Sequence, residues 1–591
     1  MSKAHAFVTG LYAPGRDRVP VWSRTASSIT LHYGSPTPTT VSMEREGNWW
    51  FSPISLPDGT DYAFSIDGAD PVADPRAVRR PDGVHGVART WRPPSPVTYD
   101  AGDLCGRVFY EMHVGTFTPE GTFDAAIDKL DHLQSLGVEV VEVMPVASFP
   151  GAFGWGYDGV SLYSTQETYG GPDAFRRFID AAHSRGLAVC LDVVLNHFGP
   201  VGNYIAGFDD YYSHTHETPW GPAFDLDGDN RAHVRAFLIG VALYWLEDMG
   251  VDALRLDAVH ALADDSDYHL LAELADAVAD AQQRSGRTFT LIAESDLNDP
   301  VMVTPTSHGG RGMDGQWDDD LHHSIHSLFT GEAHGYYGDF AQRDAIVKAF
   351  SQVFFHDGSY STFRGQNWGA PVSAATDRRR FVAFSQNHDQ VGNRALGDRP
   401  AAVLTDAQLG AQAALILLSP FTPMLFQGEE WASRSPFLFF SDQEGDPAMA
   451  RAMRDGRRAE FASHGWDEIY GHAVEVPDPT DRRTFEKSKL DWKEAHTESG
   501  QHMMSWYRQL LSLRHRQRCI TDGNPVAMQW DGDVLFMRRP GGLQIAVNFG
   551  STVEIDDVDE VLLSWSQARR TNSRVTLNQF DTLVFRSASN A

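Results

Sequence analysis

The 591-residue sequence predicts an α/β protein: a closed (β/α)8 barrel of the TIM type with a small β-sandwich at each end. Three observations carry this. From about residue 107, apolar runs of strand length alternate with helix-length segments, and the unit recurs eight times. Repeated strand–helix units imply a parallel sheet, and eight of them suggest that it closes on itself. Polar and acidic residues follow several of these apolar runs, on the face where barrels place their chemistry. Before about residue 100 and after about 520 the pattern changes to short alternating runs between Gly and Pro turns, as antiparallel sandwiches show. The expected domains are therefore 1–100, 101–519 and 520–591. An open doubly wound sheet is the alternative, weakened because no Gly-rich phosphate loop follows the first strand.

In the N-terminal part the runs are Ser28–Tyr33, Asn48–Phe51 and Tyr62–Ile66. Trp49 and Trp50 suit either a sugar-stacking platform or the core. At least one is expected inside, because a small sandwich needs large apolar residues to fill it. Residues 71–100, rich in Pro, Arg and Asp, read as a connector. Its Arg76, Arg79 and Arg80 are expected to be solvated or paired with acidic surface.

The barrel strands are expected at Val108–Val114, Val138–Pro145, Ala188–Leu195, Val251–Asp257, Phe289–Glu294, a weak one near Met313–Trp317, Phe381–Asn387 and Pro423–Gln427. Helical periods fall at Phe123–Leu136, Asp173–Arg185, Arg231–Met249, Tyr268–Arg284, Ala407–Leu418 and His502–Arg516. Gly137, Gly186, Gly250 and Gly286 follow four of them, where helices often end. Insertions are expected at 198–230 and 430–500. After residue 520 the runs at Val534–Met537, Leu543–Val547 and Thr582–Phe585 form the second sandwich.

Bulk properties bound the function. Hydrophobic content of 42% and charged content of 22% fit a globular chain. A net charge of −30 argues against nucleic acid or an anionic membrane as partner. Cys105, Cys190 and Cys519 are too scattered for a disulfide framework or a zinc ribbon, and Cys190, inside an apolar run, reads as a buried thiol. Met1–Gly10 lacks the pattern of a signal peptide, and no stretch is apolar enough to span a bilayer. A cytoplasmic location is the expectation.

Chemistry gathers at the strand ends. Strand three carries Asp192, then Asn196 and His197. Strand four carries Arg255 and Asp257, with His260 just beyond. Side chains alternate along a strand, so Ala253, Arg255 and Asp257 share one face and Leu254 and Leu256 the other. Strand five ends in Glu294, then Ser295 and Asp296. Strand seven ends in Asn387, then His388 and Asp389. A carboxylate beside Arg255 suits a nucleophile, and Glu294, emerging from an apolar strand, suits a general acid. Carboxylates converging on one cavity serve glycoside hydrolysis. Unrelated surface acids are the competing explanation.

Asp192–His197, Arg255–His260, Glu294–Asp296 and Asn387–Asp389 together resemble the four signature regions of the α-amylase family of glycoside hydrolases. They occur in the family's order and at compatible spacing. Upstream, Asp74–Arg76 and Pro81–Gly86 are similar to the segment joining the N-terminal domain to the barrel in isoamylase-like members. The resemblance implies Asp257 as nucleophile, Glu294 as general acid/base and Asp389 as the residue holding the sugar hydroxyls. It implies His197, His388 and Arg255 around the same subsite, and His260, in the same motif as Arg255 and Asp257, is a further substrate-binding candidate. It implies Tyr157, in Trp155–Asp158, as a stacking aromatic, although a core aromatic in a Gly-rich loop is a serious competitor there. The reaction would be retaining, with the Asp257 and Glu294 carboxyls about 5–5.5 Å apart.

Sequence around the motifs, notably Asp257–Leu262, Glu294–Asp299 and Asn387–Arg394, is most similar to members acting on maltooligosyltrehalose. These cleave the α-1,4 bond next to the terminal trehalose. A branching or debranching enzyme is the alternative within the family, and a glycan-binding barrel without catalysis is the alternative outside it. Trp220 suits either a sugar-stacking residue or a loop anchor. The Asp225–Asn230 loop has its glycine too early for a calcium loop, and Ala236 stands where such a loop needs its last glutamate. His322 and His326, one helical turn apart, are read as a solvated helix face rather than metal ligands. No metal and no cofactor are expected to be required.

Overall fold

The computed structural model describes residues 18–443, 445–463, 470 and 474–587. The Met1–Gly10 reading therefore lies outside the described residues, as do parts of the 430–500 insertion. Eight parallel strands close into a barrel: β1 (Phe109–Met112), β2 (Val140–Val143), β3 (Ala188–Val193), β4 (Ala253–Leu256), β5 (Thr290–Ala293), β6 (Gly315–Trp317), β7 (Phe381–Ala383) and β8 (Thr422–Phe426). Consecutive strands are neighbours all round, and β8 pairs with β1.

Period-two alternation sets what fills the ring. The lower inward positions are apolar: Phe109, Val140, Cys190, Ala253, Ile292, Trp317, Val382 and Met424 form one cluster. The next inward positions up are charged: Glu111, Glu142, Asp192 and Arg255 are all buried. The register sets Glu111 beside Glu142, and Asp192 beside Arg255. Leu254 and Leu256 face outward into the larger core, packed by the helices. The barrel thus has an apolar floor and a polar upper storey, four strands contributing an acid or a base.

The helices follow the expected segments. α1 (Phe123–Ile127) and α2 (Leu130–Leu136) replace the single helix expected over 123–136, and α3 is Gly171–His183. α4 (Arg231–Leu243) ends in a wider turn, Tyr244–Met249, closed by the Gly250 N–H on the Trp245 carbonyl at 2.9 Å. Gly250 has φ +97°, and a Cβ there would meet the Val97 side chain at 2.3 Å, so the turn admits no other residue without a shift. α5 is Leu270–Ser285.

Between β6 and β7 lies a segment of which the sequence marked only the helical turn at His322 and His326. It holds α6 (Asp319–Thr330), α7 (Ala345–Gln352) and a hairpin, Ser359–Ser361 with Gln366–Trp368. α6 is capped by Asp318, which accepts from the Leu321 N–H. His322 and His326 are buried rather than solvated, and His326 meets Glu332 at 2.7 Å. Farther along the chain come α8 (His388–Gly392), α9 (Asp406–Leu417) and α10 (Glu498–Arg516).

Two small sheets form the N-terminal unit around Val21, Leu31, Trp50 and Phe64. Trp50 is core, whereas Trp49 is half-buried and packs toward the barrel. The connector arginines depart from expectation. Arg76 and Arg80 are buried, and Arg79 pairs with the acids Glu167 and Asp173. The buried Arg80 guanidinium donates to the Ser161 hydroxyl at 2.8 Å and the Gly86 carbonyl at 3.1 Å, which ties the connector to the barrel. A five-stranded and a three-stranded sheet form the C-terminal unit around Phe536, Leu577 and Phe585. Cys190 is a buried free thiol. Among the described residues no helix is long and apolar enough to cross a membrane.

Candidate active site

One guanidinium organises the upper storey. Arg255 is fully buried, its planar face 4.3 Å from the Trp317 ring. Its Nη1 donates to both Asp192 oxygens at 2.7 and 2.8 Å and to Asp257 Oδ1 at 2.9 Å. Its Nη2 lies 2.9 Å from Glu294 Oε2. Three carboxylates from three consecutive strands therefore share one cation. Burial opposes the charge on Arg255, and Asp192, Glu294 and Asp257 more than offset it. Burial also pushes Asp192 up to about 7, although Arg255 pulls the other way.

Asp257 is further fixed by Asn196, whose amide donates to its carbonyl at 2.7 Å and to its Oδ2 at 2.8 Å. The Asn196 Nδ2 is thus committed to Asp257, while its Oδ1 meets His197 Nδ1. Glu294 is fixed from the backbone: the Ala258 N–H donates to its Oε2 at 2.6 Å. That donor faces the carboxylate because Ala258 is left-handed, with φ 40° and ψ 51°. A non-glycine residue there carries strain of order 1–3 kcal/mol.

Asp389 sits on α8 at the end of β7, where Asn387 caps the helix by accepting from Gln390 N at 2.7 Å. Its neighbour His388 is buried between two partners. Nδ1 meets Glu111 Oε1 at 2.5 Å, and Nε2 meets the Tyr157 hydroxyl at 2.8 Å and Asp389 Oδ2 at 3.4 Å. Tyr157 gives its own proton to Asp192 Oδ2 at 2.7 Å, so it accepts from His388. Both ring nitrogens then donate, and His388 is an imidazolium. Burial works against that charge, but Asp389 and Glu111 overcome it and raise the group to about 10. A ¹⁵N-labelled histidine spectrum at pH 8 is expected to show both His388 nitrogens protonated, and a neutral ring at that pH contradicts this network. The sign for stability follows. A folded value of about 10 against about 6.5 unfolded adds stability that is complete below pH 6.5 and is lost as pH climbs toward 10.

The rim holds the remaining residues. His197 Nε2 meets the Tyr157 carbonyl at 3.0 Å, and its ring stacks on Trp220 with centroids 5.2 Å apart. Trp220, at the tip of the hairpin Tyr212–Thr218 with Gly221–Phe224, is 49% exposed. The Tyr157 ring lies over His388 at 5.3 Å and 22°. His260 is exposed and faces Asp296 at 3.8 Å. Asp257, Glu294, Arg255, Tyr157, His388 and Asp389 form one linked network, and His197 with Trp220 extends it outward. His260 stands to the side, on the Asp296 pair.

The Asp225 loop is closed by its own backbone: Asp225 accepts from Gly228 N at 2.7 Å and Asn230 N at 2.9 Å. Its Asp227 lies near His216 and Asp265, a grouping of side chains that could hold an ion.

The family described as alpha amylase, catalytic domain, matches residues 100–220. Over nearly its whole length the chain resembles proteins named malto-oligosyltrehalose trehalohydrolase. It is 46% identical to that of Arthrobacter ramosus, covering 93% of this chain and 96% of the relative. It is 42% identical to that of Mycobacterium tuberculosis, covering 94% and 99%. The chain belongs to the malto-oligosyltrehalose trehalohydrolase family. Among solved structures, a 1.4 Å crystal structure of a Salmonella typhimurium protein matches with TM-score 0.86 and 35% identity, covering 96% of this chain and 97% of that one. Pullulanase type I from Bacillus subtilis matches with TM-score 0.68 at 16% identity, covering 99% and 87%, a likeness of fold.

Within this trehalohydrolase-family barrel, several polar groups escaped the sequence reading. Glu111 and Glu142 occupy inward positions of β1 and β2. Burial and then Glu111 push Glu142 up to about 8. Asp319, at the start of α6, receives the Gln390 amide at 3.1 Å. Burial, then Glu294 and Asp389, raise it to about 7. The signal for the first two was present: a lone acid in an apolar strand, two residues on from an inward apolar one. Asp319 follows the weakest strand, so nothing placed it at the rim.

Proposed function

We propose that the protein hydrolyses the α-1,4-glucosidic bond next to the terminal trehalose of maltooligosyltrehalose, releasing trehalose with retention. It is a glycoside hydrolase of the α-amylase family, and its substrate is an oligosaccharide. The observation that carries the mechanism is the shared guanidinium. Arg255 holds Asp257 and Glu294 on its two amino groups, which brings nucleophile and acid close enough to flank one glycosidic bond. Asp257 attacks the anomeric carbon and forms a glycosyl–enzyme ester while Glu294 protonates the departing oxygen. Glu294 then takes a proton from water, which opens the ester. Asp389, beside the His388 imidazolium, binds hydroxyls of the same sugar as its ring flattens. Tyr157, His197 and His388 line that subsite, with Arg255 beneath it. We assign Trp220 and His260 to contacts with the oligosaccharide beyond this sugar, on the strength of the exposed Trp220 ring stacked on His197 and the exposed His260 beside Asp296.

The relatives' names support the trehalose specificity, and they favour it over a branching activity. The branching enzyme of Corynebacterium jeikeium is 29% identical over 68% of this chain. The test is to incubate the protein with maltooligosyltrehalose and with the plain maltooligosaccharide of equal length. Free trehalose from the first, with the second cut far more slowly, is the expected result. Equal cleavage of both, or new α-1,6 branches, overturns the assignment.

A further inference from the structure

A recess of about 250 Å³ lies where the N-terminal sheets meet the barrel's outer helices, and none of its lining residues belongs to the Arg255 network. Trp22 and Trp49 reach it from two paired N-terminal strands, and Asn230 and His233 from the start of α4. The Trp22 indole lies flat on the His233 imidazole, with centroids 3.6 Å apart and planes within 4°. Trp49 meets the same imidazole edge-on at 5.7 Å and 72°. The three rings make a fixed aromatic corner. His233 is held by the Tyr211 hydroxyl at 2.8 Å, and burial drives its ring well toward the neutral form.

Asn230 gives the corner a polar demand. It is 6% exposed, and its Nδ2 donates to the Asp210 carbonyl at 2.8 Å. Its Oδ1 is buried without a hydrogen-bond partner among the described residues. Although Asn230 is the N-cap of α4, its side chain makes no cap bond. A buried acceptor left unmade costs about 1–3 kcal/mol. The Asn230 acceptor therefore lacks a hydrogen-bond donor. An anion is disfavoured: Arg24 is already paired with Asp209, the Arg76 guanidinium lies over the Trp49 ring with Asp74 as a charge partner, and the exposed Asp229 also lines the recess. Flat apolar rings beside an amide acceptor and polar edges match a neutral ring that carries hydroxyls on its rim. The volume suits one such ring rather than a chain of them.

We propose that this recess binds one glucosyl unit of an α-glucan, with the pyranose against the Trp49 side and a sugar hydroxyl donating to Asn230 Oδ1. The proposal rests on the reading of the protein as an α-glucan-active enzyme. It adds a second holding point, by which a long substrate stays on the protein between encounters with the barrel rim.

The full chain carrying Glu294→Gln, titrated calorimetrically with maltopentaose, tests it. Two binding sites per chain are expected. Adding Trp49→Ala or Asn230→Ala weakens one of them at least about tenfold and leaves the other in place. With Glu294 intact, each variant keeps kcat and KM for the shortest cleavable substrate and raises KM about threefold or more for long ones. A single site that neither variant moves overturns the proposal. Asn230→Ala, checked by a thermal melt, carries the test should Trp49→Ala fail to fold. The titration reads sugar binding without turnover. A protein that binds at both places but releases no trehalose would therefore refute the catalytic reading and leave the recess standing.

Discussion

Asp257→Ala protein, folded and purified, is expected to release trehalose at least about 10⁴-fold more slowly than the parent. The loss is large because no neighbour can take over. Asp192 lies under Arg255 with both oxygens bonded to its Nη1, and its Oδ2 also receives the Tyr157 proton. Glu294 is engaged by the Ala258 N–H and by Nη2. The fold itself should tolerate the change, since two carboxylates still face the guanidinium. Initial rates of trehalose release at several substrate concentrations, with circular dichroism as a fold check, decide it. Wild-type kcat in this variant would place the nucleophile elsewhere.

Arg255→Met has the second large effect, and it falls on stability as well as rate. The substitution keeps much of the side chain's bulk over Trp317 but removes the cation that pairs with Asp192, Asp257 and Glu294. Removing one partner from a buried ion cluster costs about 3–5 kcal/mol, because the stranded anions stay out of water. A clear fall in melting temperature and loss of activity are expected together. Arg255→Lys should recover only part of either. A single ammonium cannot serve Nη1 and Nη2 partners at once as a planar fork does. An Arg255→Met protein that melts at the parent temperature shows that the cluster is not held by this charge.

Much of this arrangement was legible in the chain because it obeys short periods. Arg255 and Asp257 are two residues apart on a strand, so their shared face could be read directly. The eight barrel strands were visible as apolar runs, even the three-residue β6. What escaped depended on packing between distant segments. Arg76 and Arg80 look like surface charge in sequence, and only the docking of the connector against the barrel buries them. His322 and His326 point into the packing of α6 with Tyr337, which no local pattern announces. α1 and α2 share one apolar stripe, so the break between them left no mark in the periodicity. His388 was read by its motif, but its charge state depends on Glu111, 277 positions away.

The polar storey above the apolar floor also constrains how the chain reaches this state. Its cation sits on β4, and the anions that neutralise it come from β3, the β4 terminus and the β5 terminus. A half-formed sheet that buried Arg255 without these anions would leave the cation unpaired, a penalty of several kcal/mol. Those strands are therefore expected to dock in one concerted step.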